Sequence, residues 1–131
     1  MKILFGKKKW CIGFSAERRR ILRQVSEAVE AWIEQKGFTK RLSKLEEIAA
    51  DIGVPADQLS IYIRVHKYKS VLNWRKELRI QEAREMLLNY PELPISVIGE
   101  MVGIDDKTNF KRQFRQVVGA GPRDWREQHL G

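Results

Sequence analysis

Apolar residues recur every three or four positions through most of the chain, the spacing that gathers them on one face of a helix. Between residues 16 and 36 they are Ile21, Leu22, Val25, Ala28, Val29, Trp32 and Ile33, while Arg19, Arg20, Arg23, Glu27, Glu30 and Glu34 take the other side. The pattern predicts an amphipathic helix over 16–36, which Ser15 can cap and Gly37 can end. A connector over 38–42 leads to a short helix over 44–51, capped by Ser43, with Glu46 and Glu47 in the first turn, where the helix dipole favours acids. Gly53, Val54 and Pro55 then separate it from a helix over 56–68 that buries Leu59 and Ile63. A long helix over 71–89 carries Trp74, Leu78, Ala83, Met86 and Leu87 inward, and Tyr90-Pro91 and Leu93-Pro94 stop it. Three further helices follow, over 95–102, over 107–118 with Phe110, Phe114 and Val117 inward, and from Pro122 through Trp125 and Arg126. No stretch has comparable strand character, and the fold class predicted is all-α.

The strongest organisational signal is an internal repeat. Leu45-x-x-Ile48-Ala49-x-x-Ile52-Gly53-Val54 corresponds to Ile95-x-x-Ile98-Gly99-x-x-Val102-Gly103-Ile104. Each copy has inward residues one turn apart, a small residue that lets a second helix approach, and a glycine for a positive backbone angle at the turn. That is the pattern of a helix-turn-helix. The chain therefore divides into an N-terminal arm of open role (1–15), a first helix-turn-helix subdomain (16–69), a linker helix (70–90) and a second helix-turn-helix subdomain (91–131).

Charge narrows the choice of partner. The 131 residues carry a formal net charge of +8, which attracts polyanions, nucleic acid first and an anionic membrane surface second. The single cysteine, Cys11, allows no internal disulfide, and no Cys/His cluster suggests a metal site. This suits a reducing cytoplasm. The apolar runs fall far short of a membrane span. No catalytic constellation is apparent: His66 and His129 lack a nucleophile or carboxylate at usable spacing. Glu46-Glu47 and Asp105-Asp106 are adjacent pairs that diverge on a helix and read as caps. No cofactor is implied. Trp32, Trp74 and Trp125 sit at core positions.

The second half of the chain resembles the AraC/XylS family of transcription regulators. Residues 95–106 look like the opening of that family's second helix-turn-helix. Phe110-Lys111-Arg112-Gln113-Phe114-Arg115 and Gly119-Ala120-Gly121-Pro122-Arg123-Asp124-Trp125-Arg126 look like its signature end, and Leu78–Leu88 resembles its linker helix. Gly99, Ile104, Gly121 and Tyr68 depart from the common residues at their positions; Tyr68 stands where glycine is usual. The resemblance implies homeodomain-like three-helix units whose two recognition helices enter successive major grooves about one turn apart, roughly 34 Å.

On that reading, bases are contacted by Lys107, Thr108, Lys111 and Arg112 in the second recognition helix, and by Gln58, Ser60 and Ile61 in the first. Arg112 is the leading reader, since its planar fork matches guanine O6 and N7. From Lys107 to Arg123 there are five basic residues and no acidic one. Lys40, Arg41, Lys44, Arg64, Lys67, Asn109 and Arg115 are candidates for the DNA backbone, helped by the helix starts near Ser43 and Pro94. The partners implied are double-stranded DNA and RNA polymerase, with an upstream sensing domain or a second copy as further candidates. Two rival readings stand beside this one. A protein-interaction module would suit Asp57 and Ile61 in the first recognition helix. RNA binding would call for exposed stacking aromatics, whereas Phe110 and Phe114 read as core.

Overall fold

The computed structural model describes residues 8–130, with side chains from residue 16 onward. The described residues form seven α-helices and no strand: α1 (Lys8–Glu34), α2 (Leu45–Ile52), α3 (Ala56–Lys67), α4 (Val71–Asn89), α5 (Ile95–Met101), α6 (Lys107–Val118) and α7 (Pro122–Leu130), with a 3-10 turn at Gly37–Thr39 after α1. The all-α class and the order of helices agree with the sequence reading. Helix α1 begins at Lys8, within the stretch assigned to the N-terminal arm, and so passes through position 15 rather than starting after it. The remaining residues of that arm, 1–7, lie outside those described.

Apolar periodicity sorts the side chains into two cores. Val25, Val29 and Trp32 of α1 pack with Ile48, Leu59, Ile63 and the start of α4, where Val71 and Trp74 are buried. Ile98, Val102, Phe110, Phe114 and Trp125 pack on the other end of α4, through Ile80, Ala83, Met86 and Leu87. The linker helix is thus a shared wall. Its N-terminal half closes one core and its C-terminal half the other. Trp32 anchors the first core: it stacks on Trp74 at 5.6 Å between ring centroids and its indole Nε1 donates to Asp51 at 2.7 Å.

Several local terminations differ from expectation. Helix α1 ends with Lys36 in the left-handed region (φ 59°). Gly37 lies one residue later, where an added Cβ would overlap the Trp32 indole, so this glycine makes room for a ring. At α2 the N-cap position is Lys44, not Ser43, and Glu47 in the first turn reaches back over it. Its carboxylate accepts from the Ser43 and Lys44 backbone N–H groups at 2.8 and 3.2 Å. Tyr68 itself takes the left-handed conformation (φ 60°) that ends α3, and its side chain is 88% exposed. The turn is therefore the glycine-type turn of the resemblance, made by a residue for which it is strained. Two termini agree with the expected chemistry. Asp106 caps α6 by accepting from Asn109 N at 2.7 Å, and Arg126 of α7 donates to the carbonyls of Leu87, Tyr90 and Leu93 at 2.9–3.2 Å, closing the end of α4.

The two turn glycines of the repeat both have positive φ, 94° at Gly53 and 98° at Gly103. Their surroundings differ. A Cβ on Gly53 would meet nothing within 4 Å, whereas one on Gly103 would lie 2.5 Å from the Thr39 carbonyl oxygen. The second helix-turn-helix therefore touches the first unit at its turn. Two stability outcomes follow, both readable by urea unfolding. Gly53→Ala should cost about 1 kcal/mol, the backbone term alone, and Gly103→Ala at least 1 kcal/mol more, since backbone must also move. Equal losses would contradict the contact. Tyr68→Gly should raise stability by about 1 kcal/mol, because little side-chain packing is given up; a loss would show that Tyr68 is held by something other than its backbone.

Candidate nucleic-acid interface

Helix α6 is fixed from its buried side. Phe110 and Phe114 are 1% and 0% exposed, meet edge to face at 6.0 Å, and Phe114 meets Trp125 in the same way. Gly99 lies beneath Phe110, where a Cβ would come within 3.0 Å of the ring, so α5 and α6 cross at close range. With that face clamped, helical geometry turns Lys107, Thr108, Lys111, Arg112 and Arg115 outward, and all five are exposed. Asn109 is half-buried. Its side-chain oxygen accepts from Arg112 Nη2, so this candidate for the DNA backbone is seated to aim the guanidinium.

Lys107 and Lys111 line an open cleft together with Ile95 and Ser96 of α5, Phe110, and Arg123 of α7. Three cations from two helices thus meet beside the start of α5. Arg123 was not singled out by sequence reasoning, because its partners lie twelve or more residues away; the absence of acids from Lys107 to Arg123 was the available signal. Arg123 also lies 3.5 Å from Glu127, both well exposed.

The first recognition helix has a different surface. Ile61, Arg64 and Lys67 of α3 are exposed, Gln58 and Ser60 half-buried. Ile61 and Val65 are 59% and 55% exposed, one turn apart. Asp57 Oδ1 accepts from Gln58 N at 2.9 Å, a capping role at the start of α3. His66 is exposed and packs on Tyr62.

Of the remaining backbone candidates, Lys44 is exposed at the start of α2, where Glu47 already takes the Ser43 and Lys44 N–H groups. Lys40 Nζ lies 3.0 Å from both carboxylate oxygens of Asp51. Arg41 is held at both ends: Nε and Nη2 donate to Asp105 at 2.7 and 2.5 Å, and Nη2 also donates to the Glu100 carbonyl at 2.9 Å. These two cations serve contacts within the protein. The pair Asp105-Asp106, read as two capping residues, divides its labour: Asp106 caps α6 and Asp105 pairs with Arg41.

Three carboxylates are held below their ordinary range. Backbone N–H groups of Ser43 and Lys44 do this at Glu47, the Trp32 indole and then Lys40 at Asp51, and the Arg41 guanidinium at Asp105. No helix among the described residues is long and apolar enough to cross a membrane.

Comparison with known proteins agrees with this geometry. Residues 48–128 match the family described as "Helix-turn-helix domain". The arabinose operon regulatory protein of Salmonella typhimurium is 34% identical over 82 residues, which is 63% of this chain and 29% of that protein. The chain thus spans under a third of the length of that curated relative. The C-terminal domain of AraT, a response regulator from Geobacillus stearothermophilus, is 30% identical, with a TM-score of 0.67 over 82% of this chain and 84% of that one. The DNA-binding domain of AdpA, a global transcriptional factor solved in complex with a target DNA, has a TM-score of 0.67 over 80% and 91% of the two chains. At 17% identity it shows the fold alone.

The lowered carboxylates make a pH prediction. A carboxyl group whose folded-state pKa is depressed contributes stability that is present above its unfolded value and is lost as pH falls through the folded one. Stability should therefore drop as pH is taken below about 4. In Asp51→Asn the drop should be shallower than in the parent, measured as the urea midpoint across pH 3–6. Parallel curves would show that the indole and Lys40 do not hold that carboxylate.

Proposed function

We propose, since the chain belongs to the AraC-type family of helix-turn-helix proteins, that it binds duplex DNA sequence-specifically and regulates transcription. The observation that carries this reading is the row Lys107, Lys111 and Arg112, which stands exposed opposite the buried Phe110–Phe114 clamp. A helix so presented fits the major groove, which admits one α-helix. Arg112, steadied by Asn109, reads a guanine. Thr108 meets a base edge or thymine methyl. Lys107, Lys111 and Arg123 hold a phosphate in the cleft beside α5, and Arg115 follows the backbone. In α3, Gln58, Ser60 and Ile61 face the second groove, with Arg64 and Lys67 toward phosphates. The chemistry is non-covalent: cations release counterions from phosphates, and base edges supply the selectivity.

AraT is a response regulator, and the similarity lies in its C-terminal domain. By analogy we read this chain as the DNA-binding end of a cytoplasmic regulator whose remaining partners are a sensing domain and RNA polymerase. A second reading keeps the shell but gives α3 to a protein partner. The exposed Ile61 and Val65 favour it for the first unit.

Selection of bound sequences from random duplexes tests the proposal. Two half-sites about one turn apart should emerge; a single half-site would assign α3 to the protein-contact reading, and no enriched sequence at low salt would sink the proposal. In Arg112→Ala the selected site should lose about 1–3 kcal/mol of discrimination at one position while nonspecific affinity changes less. Equal losses on specific and random DNA would place Arg112 on the backbone instead.

A further inference from the structure

Two reading helices that must meet the same duplex raise a mechanical question: what fixes one relative to the other? A shared α4 sets their separation along its axis. It does so less well for rotation about that axis, because side-chain packing on one helix yields to small rolling motions. A second contact, away from the axis, resists rolling. The structure contains such a contact.

It is formed by the segment 37–42 of the first unit and the turn of the second. Gly103 of that turn approaches so closely that a Cβ would lie 2.5 Å from the Thr39 carbonyl oxygen. Two residues on, Asp105 receives the Arg41 guanidinium through Nε and Nη2 at 2.7 and 2.5 Å, and Nη2 also reaches the Glu100 carbonyl of α5 at 2.9 Å. Asp105 directly precedes Asp106, the cap of α6. The ion pair therefore grips the base of the second recognition helix and, through Arg41, the Glu100 carbonyl near the end of the helix before it. Behind the segment stands Arg79 of α4, 8% exposed, donating to the Phe38 and Lys40 carbonyls at 2.6 and 2.7 Å. The chain of support is α4 to segment 37–42 to the start of α6. Its links are carbonyl hydrogen bonds and an ion pair, with Phe38 of the segment seated in the first core.

Fork-to-fork pairing fixes direction as well as distance. Both partners are more than half exposed, so the pair adds little to stability. An interaction of small energy and high directionality suits alignment better than cohesion. We infer that the Arg41–Asp105 pair is a register clamp: it sets the angle between α3 and α6, and Arg41 thereby determines which spacing between half-sites the protein accepts, without touching a base. The consequence for DNA rests on the proposed DNA-reading function; the clamp itself does not.

One base pair inserted between half-sites turns the far one by about 35° and moves it about 3.4 Å. A clamped pair of helices cannot follow, and a loosened pair can. Using the selected duplex and its one-base-pair insertion and deletion forms, wild type should lose about tenfold or more in affinity on either change. Arg41→Ala and Asp105→Ala should each lose under about threefold, and the double variant should behave like either single. Variants as spacing-sensitive as wild type would overturn the assignment of specificity to Arg41. A measurement without DNA separates this from the function itself. With spin labels at Ile61→Cys and Lys111→Cys in a Cys11→Ser background, the full chain should give one narrow interhelix distance, broadened by Arg41→Ala. An unchanged distribution would refute the clamp. Narrow in the parent and broad in the variant, with no DNA sequence enriched, would keep the clamp and discard the DNA-reading function.

Discussion

A buried guanidinium ties the connector of the first unit to the helix on which both cores pack. Arg79 lies at the point along α4 where burial passes from the first core to the second, between Trp74 on one side and Ile80 and Ala83 on the other. Removing a charge from water costs several kcal/mol unless its donors are satisfied. Arg79 satisfies two of them on the Phe38 and Lys40 carbonyls of segment 37–42, the second of which also accepts from the Leu42 N–H. Burial is the first cause, with neighbouring Arg75 and Arg41 next, that brings its pKa down to about 10. It stays charged at neutral pH, so the carbonyls keep a cation against them.

The neighbouring arginines extend the same arrangement. Arg75, one turn earlier on α4, donates to the Leu42 carbonyl, and burial lowers its pKa as well. Arg41 points from the segment toward the second unit and finds the carboxylate there. Three guanidinium groups thus gather around one stretch of chain, and Asp105 is the carboxylate among them, felt by both Arg41 and Arg79. Positive charge in a protein of this composition has two separate uses. At the segment it organises carbonyls and one acid. On α6 it stands exposed, with Phe110 and Phe114 holding the helix from behind.

Much of the architecture was legible because it rests on periodicity. The inward rows of α1, α3 and α6, the repeat with its turn glycines, and the core roles of Trp32, Trp74 and Trp125 all follow from local spacing. What was not legible depends on contacts between residues distant in sequence. Arg41 and Lys40 look like free cations in a basic stretch, and only the fold brings Asp105 and Asp51 to them. Arg79 looks like a surface residue on a charged helix; its burial follows from α4 serving two cores on different faces, which blurs the pattern of that helix. Gly37 reads as a helix stop, yet the constraint is the Trp32 ring beside it. Ser43 falls one residue before the N-cap, which is Lys44, and Glu47 in the first turn reaches back to the N–H groups of both. On the interface, the outward row of α6 was visible in advance, while the part played by Arg123 needed α7 folded against α6.

If Arg79 fixes the segment through which the first unit meets the second, its removal should uncouple the halves. The direct measurement is urea unfolding of Arg79→Leu followed at both cores, through the methyl signals of Ile63 and Ile98. The account predicts one coincident transition in the parent and two separated transitions in the variant. Coincident curves in the variant at the parent's midpoint would contradict it.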